Sequence, residues 1–274
     1  MSIVRSLARA WLPPIITGSL RNWRNGVIRF EGNFSSWEEA AAVCTGYDAG
    51  HILAKVLAAT LEVKRGGAVF ERDSVLFDRI EYAWPVTAGL MWAAARNGGH
   101  LDVLDFGGAL GSGYFQNQNL LGALRDVHWS IVEQPHYVQA GRAHIEDARL
   151  RFYDSIDLCL EANRPNVVLL SSVLQYLEYP YDVFEQLSRS GACCLIIDRT
   201  PFSSIGADRI LVQRVPAQIY SASYPMWALS KTRFLDIAEK YWKLLAAYDS
   251  PEGTIWPGIG PEFTFQGMIF AAKQ

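Results

Sequence analysis

Residues Leu101 to Gly113 read LDVLDFGGALGSG, and their types and spacing pose the chemical question. An apolar run of Leu101, Val103, Leu104 and Phe106 carries one carboxylate, Asp105, near its end. It then passes into Gly107, Gly108, Gly111 and Gly113. That order predicts a buried strand, a glycine-rich turn and a helix. Glycines there permit φ > 0 and let the backbone approach a ligand closely. In open α/β sheets ligands sit at the carboxyl ends of the strands, where this turn falls. A dinucleotide site asks for G-x-G-x-x-G on such a turn. Counted from Gly107, Ala109 stands where the second glycine should be; counted from Gly111, Gln116 stands where the third should be. A P-loop asks for a lysine after its last glycine, and none follows here. What remains is a strand-end carboxylate beside a glycine turn.

Other apolar runs also end in polar residues. HWSIVE ends in Glu133 and continues Gln134-Pro135-His136. LRFY runs into Asp154-Ser155, and NVVLLS ends in Ser171-Ser172. ACCLIID ends in Asp198 and is followed by Arg199. Asp105 and Asp154 also suit caps of a turn or helix, and Glu133 also suits an exposed strand end.

Val103-Leu104-Asp105-Phe106-Gly107-Gly108-Ala109-Leu110-Gly111 resembles motif I of class I S-adenosylmethionine-dependent methyltransferases, in which D-x-G-x-x-x-G follows an apolar strand. The resemblance implies that the turn passes under the methionine part of the cofactor. That cofactor carries a sulfonium and an ammonium but no phosphate, so a strand-end carboxylate such as Asp105 suits it. It further implies that Glu133, with Gln134, accepts the ribose hydroxyls, and that Asp154 and Ser155 meet the adenine amino group. Ser171-Ser172 followed by Val173-Leu174-Gln175-Tyr176-Leu177 resembles the family's fourth-strand motif, V-L-H-x-L. Gln175 departs from it, because a glutamine cannot act as the general base that a histidine supplies there. The implied cofactor set is therefore Asp105, Gly107, Gly108, Gly111, Glu133, Gln134, Asp154, Ser155 and Ser171, and no metal is implied. The whole chain also looks like a little-characterised methyltransferase family associated with bacterial surface-polysaccharide genes. That likeness rests on Phe30-Glu31-Gly32, Ser36 to Ala40, Gly46-Tyr47-Asp48, Glu71 to Ser74 and Ile197 to Pro201. It implies a small-molecule or glycan acceptor.

Methyl transfer to a hydroxyl needs positioning and removal of a proton. Asp198 and Arg199 fall at the ligand edge after the fifth strand, and Arg199 suits a carboxylate or phosphate on the acceptor. Asp48 and His51 are spaced i, i+3 on one helix face, which suits a carboxylate-oriented imidazole base. Glu71, Arg72 and Asp73 could reach the pocket or form a solvated charge cluster. Tyr220, Tyr224, Pro225 and Trp227 suit an aromatic wall.

The elements that must position these residues follow from periodicity. Strands are expected at 101–106, 128–133, 150–153, 166–171, 192–198, 243–249 and 265–272. Helices are expected over 115–125, 137–147, 157–162, 180–189 and 231–240. Strand–helix alternation predicts an α/β fold with a doubly wound, mostly parallel seven-stranded Rossmann-like sheet. The last two strands lack a crossover helix and must be antiparallel if they are neighbours. Residues 1–98 read as an N-terminal helical cap on the substrate side, ambiguous over 68–78, and 99–274 as the Rossmann-like domain. One helix is expected to be capped by Ser35 or Ser36.

A chain of 274 residues that is 50% hydrophobic can bury a sizeable core, and a net charge of −3 gives no sign of a nucleic-acid binder. Cys44, Cys159, Cys193 and Cys194 show no metal-ligand spacing and read as thiols of a reducing compartment. Residues 1–12 form a basic amphipathic pattern, suited to packing on the domain or to weak contact with a membrane surface. Arg9 interrupts any secretory apolar run, so a cytoplasmic location is expected. Two other readings stay open: a catalytically inactive binding module on the same fold, which Gln175 favours, and an NAD(P)-dependent oxidoreductase, which the broken glycine spacing disfavours.

Overall fold

The computed structural model describes residues 28–45, 49–72, 74–216, 222–258 and 260–273. Its first elements are β1 (Arg29–Phe34), α1 (Trp37–Ala42), α2 (Ala49–Lys64), β2 (Phe70–Arg72), β3 (Val75–Phe77) and α3 (Trp84–Arg96). Then come β4 (His100–Phe106), α4 (Ser112–Leu121), β5 (Asp126–Val132), α5 (Pro135–His144), β6 (Leu150–Tyr153), α6 (Ile156–Ala162) and β7 (Val167–Ser171). A 3-10 turn (Leu174–Tyr176) leads to α7 (Pro180–Ser188), β8 (Cys194–Ser203), β9 (Arg209–Val215) and β10 (Ala222–Ser230). The chain closes with α8 (Lys231–Ala238), β11 (Trp242–Ile255) and β12 (Phe263–Ala272).

The sheet runs β6-β5-β4-β7-β8-β12-β11. Its strands are parallel except β12, which is inserted antiparallel between β8 and β11. This is the expected doubly wound seven-stranded sheet. Alternate residues of one strand feed opposite faces. Val103, Leu169 and Ile196 join the layer that contains α2 to α5, whereas Leu104, Leu170 and Ile197 join the layer of α6, α7 and α8. The order of β4 reverses direction between β5 and β7, and that switch point lies beneath the glycine turn.

Three strands extend the sheet beyond this expectation. The last residues of β8 pair in parallel with β10, β10 pairs with β9, and β9 pairs with β1. Residues 28–98 are therefore not wholly helical, which corrects the helical reading of the cap. β1 is a strand because its partner, β9, lies some 180 residues away (Arg29 opposite Arg214), and local periodicity carries no trace of that pairing. The ambiguous stretch 68–78 is a two-stranded hairpin, with Glu71 opposite Leu76. α1 is capped by Ser36, whose Oγ accepts from the Glu39 N–H at 3.1 Å, while the Glu39 carboxylate accepts from Ser35. Pro85 sits in the first turn of α3, so that helix starts late and is not kinked. No helix among the described residues is long and apolar enough to cross a membrane.

Candidate functional site

The carboxyl edge of the sheet opens into a cleft of about 2110 Å³. Eight of the nine expected cofactor residues line it: Asp105, Gly107, Gly108, Glu133, Gln134, Asp154, Ser155 and Ser171. Gly111 does not. It stands at φ 97° as the N-cap of α4, where a side chain would be strained.

The glycine turn is moulded around Asp105. A Cβ on Gly108 would collide with the Asp105 carboxylate, and one on Gly107 (φ 75°) would collide with Val173. Asp105 is 2% exposed, and its Oδ2 accepts from Trp129 Nε1 at 3.0 Å. Burial raises its pKa to about 7. The Trp129 hydrogen bond and Arg199 oppose the shift, and Glu133 adds to it. Burial also raises Glu133, while the Gln134 and Ala109 backbone N–H groups pull it back; the Gln134 bond is 2.7 Å. Two carboxylates thus face one cleft under mutual repulsion.

At the end of β6, Asp154 pairs with Arg142 at 3.0 Å. The cap of α6 is Ser155, whose Oγ accepts from the Leu158 N–H at 3.2 Å. Asp154 is therefore not the cap, because its carboxylate is turned to Arg142.

The ends of β7 and β8 form a second cluster. Asp198, 5% exposed, accepts from Ser171 Oγ at 2.9 Å and Tyr248 Oη at 3.0 Å, and pairs with Arg199 Nε at 3.5 Å. Its proton-accepting positions are largely taken, so it holds Arg199 and Tyr248 in place. Arg199 adopts φ 49°, a left-handed conformation that turns its side chain into the cleft. Gln175 is fully buried. Its Nε2 donates to Ser172 Oγ at 3.0 Å and to the Arg199 carbonyl at 3.2 Å. It braces the turn after β7 and is not among the residues lining the cleft.

The far end of the cleft is walled by the added strands. Gln213 and Tyr224 stand opposite each other on β9 and β10. Tyr176 Oη donates to Gln213 Oε1 at 3.0 Å, and Gln213 Nε2 donates to Tyr224 Oη at 3.2 Å. The two tyrosine rings meet edge to face at 5.2 Å. Pro225 also lines the cleft, whereas Trp227 does not: it stacks on Trp37 and donates to the Leu177 carbonyl.

The remaining candidates fall apart in space. Glu71 is buried and Arg72 lines the cleft, paired with Glu81 at 3.5 Å. His51 lies in the first turn of α2, but its side chain is outside what the structure describes. Residues 1–12, Tyr47, Asp48, Asp73 and Tyr220 lie outside the described residues. Sequence reasoning missed Tyr248, Gln213 and Tyr176. Tyr248 lay in an expected strand without any motif around it, and Gln213 lay in a stretch with no assigned element.

Among solved structures, the chain is similar to the N-terminal domain of EvdMO1 with SAH bound, at 14% identity and a TM-score of 0.48 over 83% of this chain and 98% of that one. It is similar to a Burkholderia thailandensis 1,6-didemethyltoxoflavin-N1-methyltransferase at 14% identity and a TM-score of 0.39, over 84% and 92%. It is also similar to the glycopeptide N-methyltransferase MtfA complexed with sinefungin, at 14% identity and a TM-score of 0.41, over 66% and 92%. No family model and no curated protein sequence matches the chain.

Proposed function

We propose that the chain is an S-adenosylmethionine-dependent methyltransferase acting on a hydroxyl of a small molecule or of a sugar or glycan precursor. One observation carries the reading. Asp105, buried, and Glu133, half-buried, meet on a cleft at the switch point of the sheet, and burial raises the pKa of both. That arrangement favours a ligand with positive charge and hydroxyls over one with phosphates. The glycine turn brings the backbone close against the Asp105 carboxylate, because a Cβ on Gly107 or Gly108 would collide with Val173 or Asp105.

When bound, the cofactor supplies a methyl group activated by its sulfonium. Glu133 and Gln134 would hold the ribose hydroxyls, Asp154 and Ser155 the adenine edge, and Asp105 with Gly107, Gly108 and Gly111 the methionine end. Ser171 joins that end to the Asp198–Arg199 pair. Arg199 would orient the acceptor, with Asp198 fixing it. His51 stays a candidate base. Residues 1–98 are read as the substrate-side extension, because Arg29, Phe30, Glu31 and Trp37 line the cleft with residues of the sheet. All four cysteines are free thiols, which supports a reducing compartment such as the cytoplasm.

The test is calorimetric titration of S-adenosylhomocysteine into the wild-type chain and Glu133→Ala. Binding is expected for the wild type. Loss of hydrogen bonds to a charged group should weaken the variant by roughly tenfold or more. Folded wild-type protein that binds NAD and ignores S-adenosylhomocysteine overturns the reading. Transfer of labelled methyl to a sugar precursor then separates an active enzyme from a binding module.

A further inference from the structure

β8 breaks its regular pairing at the cleft. Ile197 lies opposite Met268 of β12 and Thr200 opposite Gln266, so Asp198 and Arg199 together face the single residue Gly267. That is a β-bulge, and a bulge beside a site re-aims side chains. In a regular strand consecutive side chains point to opposite faces. Here Asp198 and Arg199 both line the cleft and pair with each other at 3.5 Å. A left-handed residue in a bulge is usually glycine, yet this one is Arg199 at φ 49°. Ser172, just past the end of β7, is left-handed too, at φ 56°, and also lines the cleft. Such conformations persist only where the surroundings fix them.

One buried side chain reaches both residues. Gln175 Nε2 donates to Ser172 Oγ at 3.0 Å and to the Arg199 carbonyl at 3.2 Å. A carbonyl only accepts, so the amide nitrogen must be the atom that faces Arg199. Gln175 Oε1 then points away, and it is buried without a hydrogen-bond partner. The Ser172 N–H adds a 2.9 Å bond to the Asp198 carbonyl. An unpaired buried acceptor and two left-handed residues each cost stability, and all three meet at one edge of the cleft.

We propose that Gln175 is a positioning residue: by holding the bulge of β8 it presents Arg199 to the methyl acceptor. This rests on the reading of the cleft as a methyltransferase site. Without the amide donor, Arg199 relaxes to φ of about −60°, a turn of roughly 110° that carries its side chain away from Ser171 and Asp198.

The experiment compares wild type, Gln175→Met and Gln175→Glu, each checked for folding by thermal unfolding. Met keeps the length of the side chain without the donor, and Glu keeps the shape but donates only when protonated. Crystal structures give the φ angle of Arg199. In solution the reporter is the Arg199 Nε–H NMR signal, assigned by its absence from Arg199→Lys. In Gln175→Met, Arg199 is expected to leave the left-handed region and its signal to shift. In Gln175→Glu the signal should match that of wild type at about pH 5 and that of Gln175→Met at about pH 9, each compared at the same pH. A side chain that only fills space produces no such titration. By calorimetry, Gln175→Met should bind S-adenosylhomocysteine within about twofold of wild type, while transfer of labelled methyl to the sugar precursor shows a KM for the precursor roughly tenfold higher. If Gln175→Met does not fold, the titration of Gln175→Glu decides. An Arg199 that keeps its left-handed φ in Gln175→Met, or an unchanged KM beside a displaced Arg199, overturns the proposal. So does roughly tenfold weaker S-adenosylhomocysteine, which would assign the amide to the cofactor. A wild type that ignores S-adenosylhomocysteine overturns the methyltransferase reading instead, and the φ angle of Arg199 in Gln175→Met still reports whether the amide holds the bulge.

Discussion

Replacing Asp105 with Asn should make the protein more stable at pH 8 and leave it little changed near pH 4. The carboxylate is 2% exposed, and burial raises its pKa from 3.8 to about 7. Between those two values the folded state binds a proton that the unfolded chain has released, so stability falls as pH rises. The contribution is fully present below pH 3.8 and is lost as pH passes about 7. At about 1.4 kcal/mol per pH unit, the gap is worth about 4 kcal/mol. Asn keeps the shape and an oxygen for the Trp129 indole N–H, so the variant removes the titration with little change in packing. Urea unfolding of both proteins at intervals from pH 4 to pH 8 gives the difference directly, and other titrating groups cancel in the subtraction. The stability gap should open in favour of the variant across that interval and level off above pH 7. A flat difference, or a variant that loses ground as pH rises, refutes the reasoning. The same variant tests the ligand: Asp105→Asn that stays folded and binds S-adenosylhomocysteine as the wild type does removes Asp105 from the cofactor set.

Gly111→Ala should cost about 1–3 kcal/mol by urea unfolding, because φ is 97° and the added Cβ would lie 3.2 Å from Leu150 Cδ2; an unchanged midpoint contradicts the strain argument. Tyr248→Phe removes a 3.0 Å donor to the buried Asp198 carboxylate and should cost about 1.5–3 kcal/mol at pH 7. Unchanged stability would mean that Ser171 and Arg199 satisfy Asp198 without it.

The sheet was legible because its signals are local. β4, β5, β6 and β7 are short, largely apolar runs bounded by turn residues; β7 is buried on both faces and reads as a continuous apolar run, whereas β6, at the sheet edge, alternates with Arg151 exposed. The strand-end residues were legible for the same reason: a polar residue ends each run. β9 and β10 were not, although RILVQRV is as apolar as the strands before it. No crossover helix separates β8 from them, and the alternation on which the reading rests stops at Arg199. β1 reads RFEGNF, with Gly32 at φ 82° and a register shift between Glu31 and Phe34, so it has no clean period. Asp198 shows the limit at the level of a side chain. Its place at a strand end was readable, but the Tyr248 hydroxyl that occupies it comes from β11, 50 residues on.

Two of the charged groups that line the cleft differ in how they are compensated, and that difference bears on what can meet each of them. On one side of the switch point, Asp105 and Glu133 are raised by burial and have no cation in contact in the described structure beyond their backbone and indole donors. On the other, Asp198 is neutralised by Arg199 at 3.5 Å and by two hydroxyl donors. A ligand that brings positive charge relieves the first pair and gains nothing from the second. An uncharged, hydroxyl-rich ligand does the reverse, meeting the neutral Tyr176–Gln213–Tyr224 wall without repulsion. Swapping the two would set a cation against Arg199 and leave Asp105 and Glu133 facing each other unrelieved. Between these two groups, the electrostatics favour a positive ligand over the glycine turn and an uncharged one against the Tyr176–Gln213–Tyr224 wall.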